Sequence, residues 1–253
     1  MKLTDISVIR SLMGEEQTTF KKKFGQNFLI NENVVEKIAD GCGDDPGAGI
    51  LEIGPGIGVL TCELAKRYKK VVTVEIDDDM IPILDKTLAE FDNVKVVHSD
   101  VLKVDLKALF EENFSDVSEV RVCANLPYYI TTPILMYLLE SGIPFRSITV
   151  MVQKEVADRL CAPAGSPLYG AVTASVSYYG KAKRLFVVNA GNFMPAPKVD
   201  SAVVRIDLFK TPPVECDFKT LMRVIKGAFG KRRKTLLNAL STEFSHVSKD
   251  NMA

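Results

Sequence analysis

Residues 51–61 read LEIGPGIGVLT, a glycine-rich turn set between a strand-like and a helix-like run. Gly49–Ile53 has the length and apolar composition of a buried strand, and Leu60–Tyr68 carries apolar residues at helical spacing. Between them, Gly54, Gly56 and Gly58 permit a sharp strand-to-helix turn and a close approach of backbone to ligand. Taken alone, a G-x-G-x-G run is a weak signal, because a tight turn without any ligand uses the same residues.

Working outward, Val71–Ile76, Val94–His98, Val120–Ala124 and Ser147–Gln153 read as further strands, with a helix over Asp79–Leu88. This β-α-β-α rhythm predicts an open, mostly parallel α/β sheet with helices on both faces and its ligand at the carboxyl ends of the strands. After Tyr179 the rhythm changes. Leu185–Val188 and Ala202–Leu208 read as a strand pair separated by the loop NFMPAPKVDS (192–201). A Thr-Pro-Pro break at 211–213 then precedes helices over Asp217–Phe229 and Arg233–Leu240, so the expected boundary separates a domain 1–210 from a small basic helical domain 211–253.

Composition excludes several classes. No apolar run reaches about 18 residues and the start lacks a signal-peptide pattern, which argues against a membrane and for the cytoplasm. Five scattered cysteines and two histidines form no C-x-x-C pair, so no metal is expected. The formal net charge of zero hides an asymmetry: residues 181–235 hold thirteen Lys or Arg against four Asp or Glu. A basic face of this kind gathers phosphates, although a charge run is more often a solvated surface.

Polar residues at successive strand ends sharpen the glycine signal. Glu75 lies 21 residues after Gly54, where a carboxylate can accept from both hydroxyls of a ribose; Asp100 follows the third strand and Asn125 ends the fourth. A dinucleotide or S-adenosylmethionine would suit such a rim. The stretch ANLPYYI (124–130) favours the second. An adenine amine is a poor nucleophile until two acceptors hold its hydrogens and its lone pair points at an electrophilic methyl group. The Asn125 carbonyl is one acceptor, and the Leu126 backbone carbonyl, aimed by Pro127, is the other. Tyr128 supplies a face for the base to stack on, worth about 1–3 kcal/mol.

With KKFGQNFL (22–29), VEID (74–77), SDVL (99–102), NLPYYITTPIL, MVQKEVADRL (151–160) and FMPAPKVDSAVV, the chain resembles the ribosomal RNA adenine dimethyltransferases from Lys22 to about Leu240. The nearest pattern is the bacterial enzymes that dimethylate two adjacent adenosines near the 3′ end of 16S ribosomal RNA. The resemblance implies a Rossmann-like class I S-adenosylmethionine-dependent methyltransferase sheet with a small helical C-terminal domain. It implies cofactor contacts from Asn27, Leu29, Gly54, Gly56, Glu75, Ile76, Asp100, Val101 and Asn125, and catalytic roles for Asn125, Leu126, Pro127 and Tyr128. Phe193 is expected to stack on the target adenine opposite Tyr128.

The partner so implied is 16S ribosomal RNA within the immature small subunit, bound by a monomer that also serves ribosome biogenesis. RNA phosphates would be met by Lys22, Lys23, Lys231, Arg232, Arg233 and Lys234. The family pattern carries further helices beyond KRRKTL, so a shortened appendage is expected. Three competitors remain: the related resistance enzymes acting on large-subunit RNA, a ribosome-assembly factor whose methylation is secondary, and an NAD-dependent dehydrogenase. Nothing in NLPY or Phe193 serves hydride transfer.

Overall fold

A computed structural model describes residues 1–16, 25–231 and 233–251. Its centre is a seven-stranded sheet of β2 (Gly49–Ile53), β3 (Lys70–Glu75), β4 (Val94–His98), β5 (Val120–Asn125), β6 (Phe145–Gln153), β7 (Gly180–Val188) and β9 (Ser201–Leu208), in the order β4-β3-β2-β5-β6-β9-β7. The five strands from β4 to β6 run parallel, and β9 and β7 close the edge antiparallel. The strand order reverses at β2, between β3 and β5, which opens the crevice where ligands of such sheets bind.

The central strands are buried on both faces, hence their continuous apolar reading. Leu51, Ile53, Val72, Val122 and Ile148 face one core, with α5 (Leu106–Asn113) and α6 (Thr131–Glu140) against it. Ile50, Val71, Cys123 and Met151 face the other, beneath α2 (Glu32–Gly41) and α3 (Val59–Ala65). A third cluster seats α1 (Ile6–Glu15): Ile9, Leu12 and Met13 pack with Ile57, Met80 and α4 (Ile81–Thr87).

One pairing spans the chain. The two-stranded ribbon of β1 (Phe28–Leu29) and β8 (Phe193–Met194) sets Phe28 opposite Met194 and Leu29 opposite Phe193. It ties the QNFL segment to the FMPAPKVDS loop, and the Asn31 side chain reinforces it by donating to Asn192 Oδ1 at 2.8 Å.

Beyond α7 (Lys154–Leu160) and α8 (Ala171–Tyr179), the basic segment forms α9 (Phe218–Gly230) and α10 (Leu236–Glu243). Asp217 and Thr235 cap them as side-chain acceptors. Little here is buried beyond Ile225, Gly227 and Ala239. The pair rests on α8 through Phe218 against Tyr178 and Tyr179, with Phe229 near Tyr169 in the preceding loop. Among the described residues no helix is long and apolar enough to cross a membrane.

Candidate active site

The carboxyl ends of β2 to β5 open into one cleft. Gly54, Gly56, Glu75, Ile76, Asp100, Val101, Asn125, Leu126, Pro127 and Tyr128 all line it, as do Asn27 and Leu29 from the amino-terminal segment. Residues from five separate stretches of chain therefore converge on one crevice.

The glycine loop is shaped by its surroundings. Gly54 and Gly56 hold φ of +68° and +59°, where side chains are strained. A Cβ on Gly56 would stand 2.8 Å from the Phe28 ring, whereas one on Gly54 would project into open space. Phe28, itself on the cleft wall, thus packs against Gly56 and leaves Gly54 bare.

Glu75 is more fully engaged than its position in the sequence suggests. Its Oε1 accepts from the N–H groups of Ile76 (2.9 Å) and Asp77 (2.8 Å), and its Oε2 accepts from Gly56 N–H (3.1 Å). A carboxylate offers about four lone-pair positions, so a single one remains, on Oε2. That remaining position is open to a ribose hydroxyl. Burial pushes its pKa up, and the three N–H bonds oppose that rise.

Asp100 spends Oδ1 on Leu102 N–H at 3.0 Å and leaves Oδ2 toward solvent and Lys103. The Asn125 amide donates through Nδ2 to the backbone carbonyl of Asn27 at 3.2 Å. A carbonyl can only accept, so this bond fixes the amide's orientation and leaves Oδ1 as a free acceptor. Asn27 in turn donates to Gly25 O at 2.9 Å, and Gly25 abuts Pro127. Tyr128 lies half-buried along the wall, its hydroxyl 2.6 Å from Ser201 Oγ.

Phe193 departs from expectation. Its side chain is 3% exposed, packed among buried residues that include Leu29, Met151 and Val203, and it does not line the cleft. The ribbon explains this: opposite Leu29, the ring is committed to the same core. A role against the target base would require the ring to leave that core. Among the basic candidates, Lys231, Arg233 and Lys234 occupy the turn between α9 and α10, with Arg233 and Lys234 exposed. Lys22, Lys23 and Arg232 lie outside the described residues.

Sequence reasoning missed Glu52, Gln26 and Ser201. Glu52 sits in the cleft floor at 1% exposure, and burial above all, with the neighbouring Glu75 charge, pushes its pKa up to about 8. A carboxylate inside an apolar strand was the available signal. Gln26 donates to Asp77 Oδ2 at 2.6 Å, which pins the amino-terminal segment to the loop after Glu75. Neither Gln26 nor Ser201 announces itself without the fold, because their partners lie 51 and 73 residues away.

Comparison with known proteins places this geometry. Residues 17–253 match the family model described as ribosomal RNA adenine dimethylase. A "Ribosomal RNA small subunit methyltransferase A" from Bacillus licheniformis is 49% identical over 232 residues, covering 91% of this chain and 80% of that protein. Among solved structures, a dimethyladenosine transferase from Plasmodium falciparum superposes with a TM-score of 0.73 at 29% identity, over 85% of this chain and 74% of that one. The 23S rRNA methyltransferase ErmE gives 0.69 at 27%, over 85% and 84%. A glycine-loop cleft that presents a free amide acceptor beside Pro127 and Tyr128, on a chain matched along most of its length, makes this protein a member of the ribosomal RNA adenine dimethylase family, an S-adenosylmethionine-dependent methyltransferase.

Proposed function

We propose that the chain dimethylates two adjacent adenosines near the 3′ end of 16S ribosomal RNA, acting as a monomer on the immature small subunit. The observation that carries this reading is the tethered Asn125 amide, whose free Oδ1 faces a cleft already fitted for a nucleoside cofactor. The cofactor's fit rests on the bare Gly54 in the glycine loop, the remaining Glu75 acceptor and Asp100 Oδ2, which meets only Lys103 and solvent. When bound, S-adenosylmethionine supplies a methyl group on a cationic sulfur.

Asn125 Oδ1 and the Leu126 carbonyl then accept the two amine hydrogens of the flipped adenine, so that its nitrogen lone pair points along the line of displacement. The chain's own part is to hold that nitrogen in line with the methyl group the cofactor would supply. The methylated amine, now cationic, gives its proton to water. No strong base is required of the protein. Repetition on the same nitrogen gives dimethyladenosine.

Choice of the small subunit over large-subunit RNA draws on the 49% identity to a small-subunit enzyme against 27% to ErmE. Labelled S-adenosylmethionine should transfer methyl groups to unmethylated small subunits and leave large-subunit RNA unlabelled. Label in the large-subunit RNA would reassign the substrate.

Glu75→Ala should weaken cofactor affinity about 10- to 100-fold, the worth of one hydrogen bond to a charged acceptor; calorimetric binding checks this, and unaltered affinity removes the ribose contact. In the basic turn, neutralising Lys231, Arg233 and Lys234 together should lower RNA affinity and reduce the slope of log K against log salt by about 2–3. An identical slope would place the RNA elsewhere.

A further inference from the structure

Tyr128 and Tyr129 are neighbours in one loop with opposite fates. The Tyr129 side chain stands 63% exposed, whereas Tyr128 is held half-buried with its hydroxyl 2.6 Å from Ser201 Oγ. The loop's own backbone does little to hold either ring. Pro127 has no N–H, and its carbonyl accepts from Ile130 N–H (3.2 Å) and Thr131 Oγ1 (3.1 Å), bonds that shape the entry to α6 rather than the side chains.

Ser201 differs in being immobile. It is 0% exposed and opens β9, paired on one side with Gln153 of β6 and on the other with Val188 of β7. Asp200 beside it is fastened twice, its carbonyl accepting from Lys154 N–H and its Oδ1 from Ala190 N–H, both at 2.9 Å. The Ser201 hydroxyl is therefore a fixed point in the sheet, reaching the far end of a side chain that lines the cleft.

We propose that Ser201 is a positioning residue for methyl transfer, holding the Tyr128 ring at the angle on which the target adenine stacks. This rests on the dimethyltransferase reading above. Burial pushes the Tyr128 pKa up, the bond to Ser201 opposes that rise and the nearby Asp200 adds a little to it. Ser201 itself does not line the cleft, so cofactor contacts do not depend on it. Losing the bond frees the ring without removing it, and orientation is lost rather than stacking area.

Ser201→Ala, Tyr128→Phe and the double variant test this with small subunits and labelled S-adenosylmethionine. Each single change should lower kcat about three- to tenfold, the effect of one net hydrogen bond, with cofactor Kd unchanged. The double variant should be no slower than the slower single, since both remove the same bond. Unchanged kcat in Ser201→Ala overturns the proposal, as do losses that multiply or a cofactor Kd that rises in parallel with the loss of kcat. A readout independent of turnover is the fluorine resonance of 3-fluorotyrosine placed at position 128. It should narrow and shift in Ser201→Ala, and an unaltered signal overturns the anchor even if the wild-type protein were to transfer no methyl group at all.

Discussion

Asn125→Ala should lower the turnover of methyl transfer by about 10²- to 10³-fold, the range seen when one preorganised polar group at a reacting centre is removed. The size follows from what the amide does at two ends. Its Oδ1 is the side-chain acceptor for an amine hydrogen, and without it the adenine nitrogen keeps its lone pair delocalised in the ring. Its Nδ2 bond to Asn27 O is what holds Oδ1 toward the cleft. Cofactor affinity should fall far less, by under about tenfold, since losing one neutral hydrogen bond leaves the glycine loop and Glu75 in place. Single-turnover rates on small subunits, set beside calorimetric cofactor binding, separate the two effects. A variant that turns over normally would remove Asn125 from the chemistry, and one that loses cofactor and rate in equal measure would reduce it to a binding residue. Asn125→Asp is the complementary case: it keeps an acceptor but sets a carboxylate opposite the Asn27 carbonyl, so it should recover little of the loss.

Strand periodicity made the sheet legible because buried parallel strands are short, apolar and punctuated by turn residues. Gly49–Ile53, buried along its whole length, appears with the bounds its composition suggests. The edge strand β7 does not: it begins at Gly180, five residues before Leu185, because Lys181, Lys183 and Arg184 face solvent on an edge and carry no apolar signature. The rim of Gly54, Glu75, Asp100 and Asn125 was legible for the same reason as the sheet, since strand ends inherit their position from strands. What escaped sequence reasoning depends on pairing between distant segments. The β1–β8 ribbon is two residues long on each side, too short for any period, yet it decides that Phe193 packs in the core rather than on the cleft wall. The tether from Tyr128 to Ser201 depends likewise on β9 lying beside β6.

Glu52→Gln should make the protein more stable at alkaline pH and flatten its pH dependence. The side chain is 1% exposed, with the Thr61 and Thr73 hydroxyls as its polar neighbours and none of the three held in a hydrogen bond of good geometry among the described residues. Burial raises the folded-state pKa to about 8, the Glu75 charge adds to the rise, and the two threonines moderate it. In the unfolded chain the same carboxyl ionises near its ordinary value of about 4.3. Between these two values the folded protein binds the proton that the unfolded chain releases, so stability falls as pH rises through that window and levels off above about 8. The contribution is complete below the unfolded value and is lost as the folded acid ionises. Its full span is on the order of a few kcal/mol, which for a chain of this size corresponds to roughly 5–15 °C in Tm. Glutamine keeps the shape and cannot ionise, so the wild-type and variant melting curves, measured from pH 5 to pH 9, should converge toward acid and separate toward alkali. Curves that stay parallel would mean Glu52 is already ionised in the folded protein. The direction also bears on the cleft: near neutrality a protonated Glu52 adds no negative charge to its floor, while Glu75 and Asp100 keep acceptor positions open toward the cofactor.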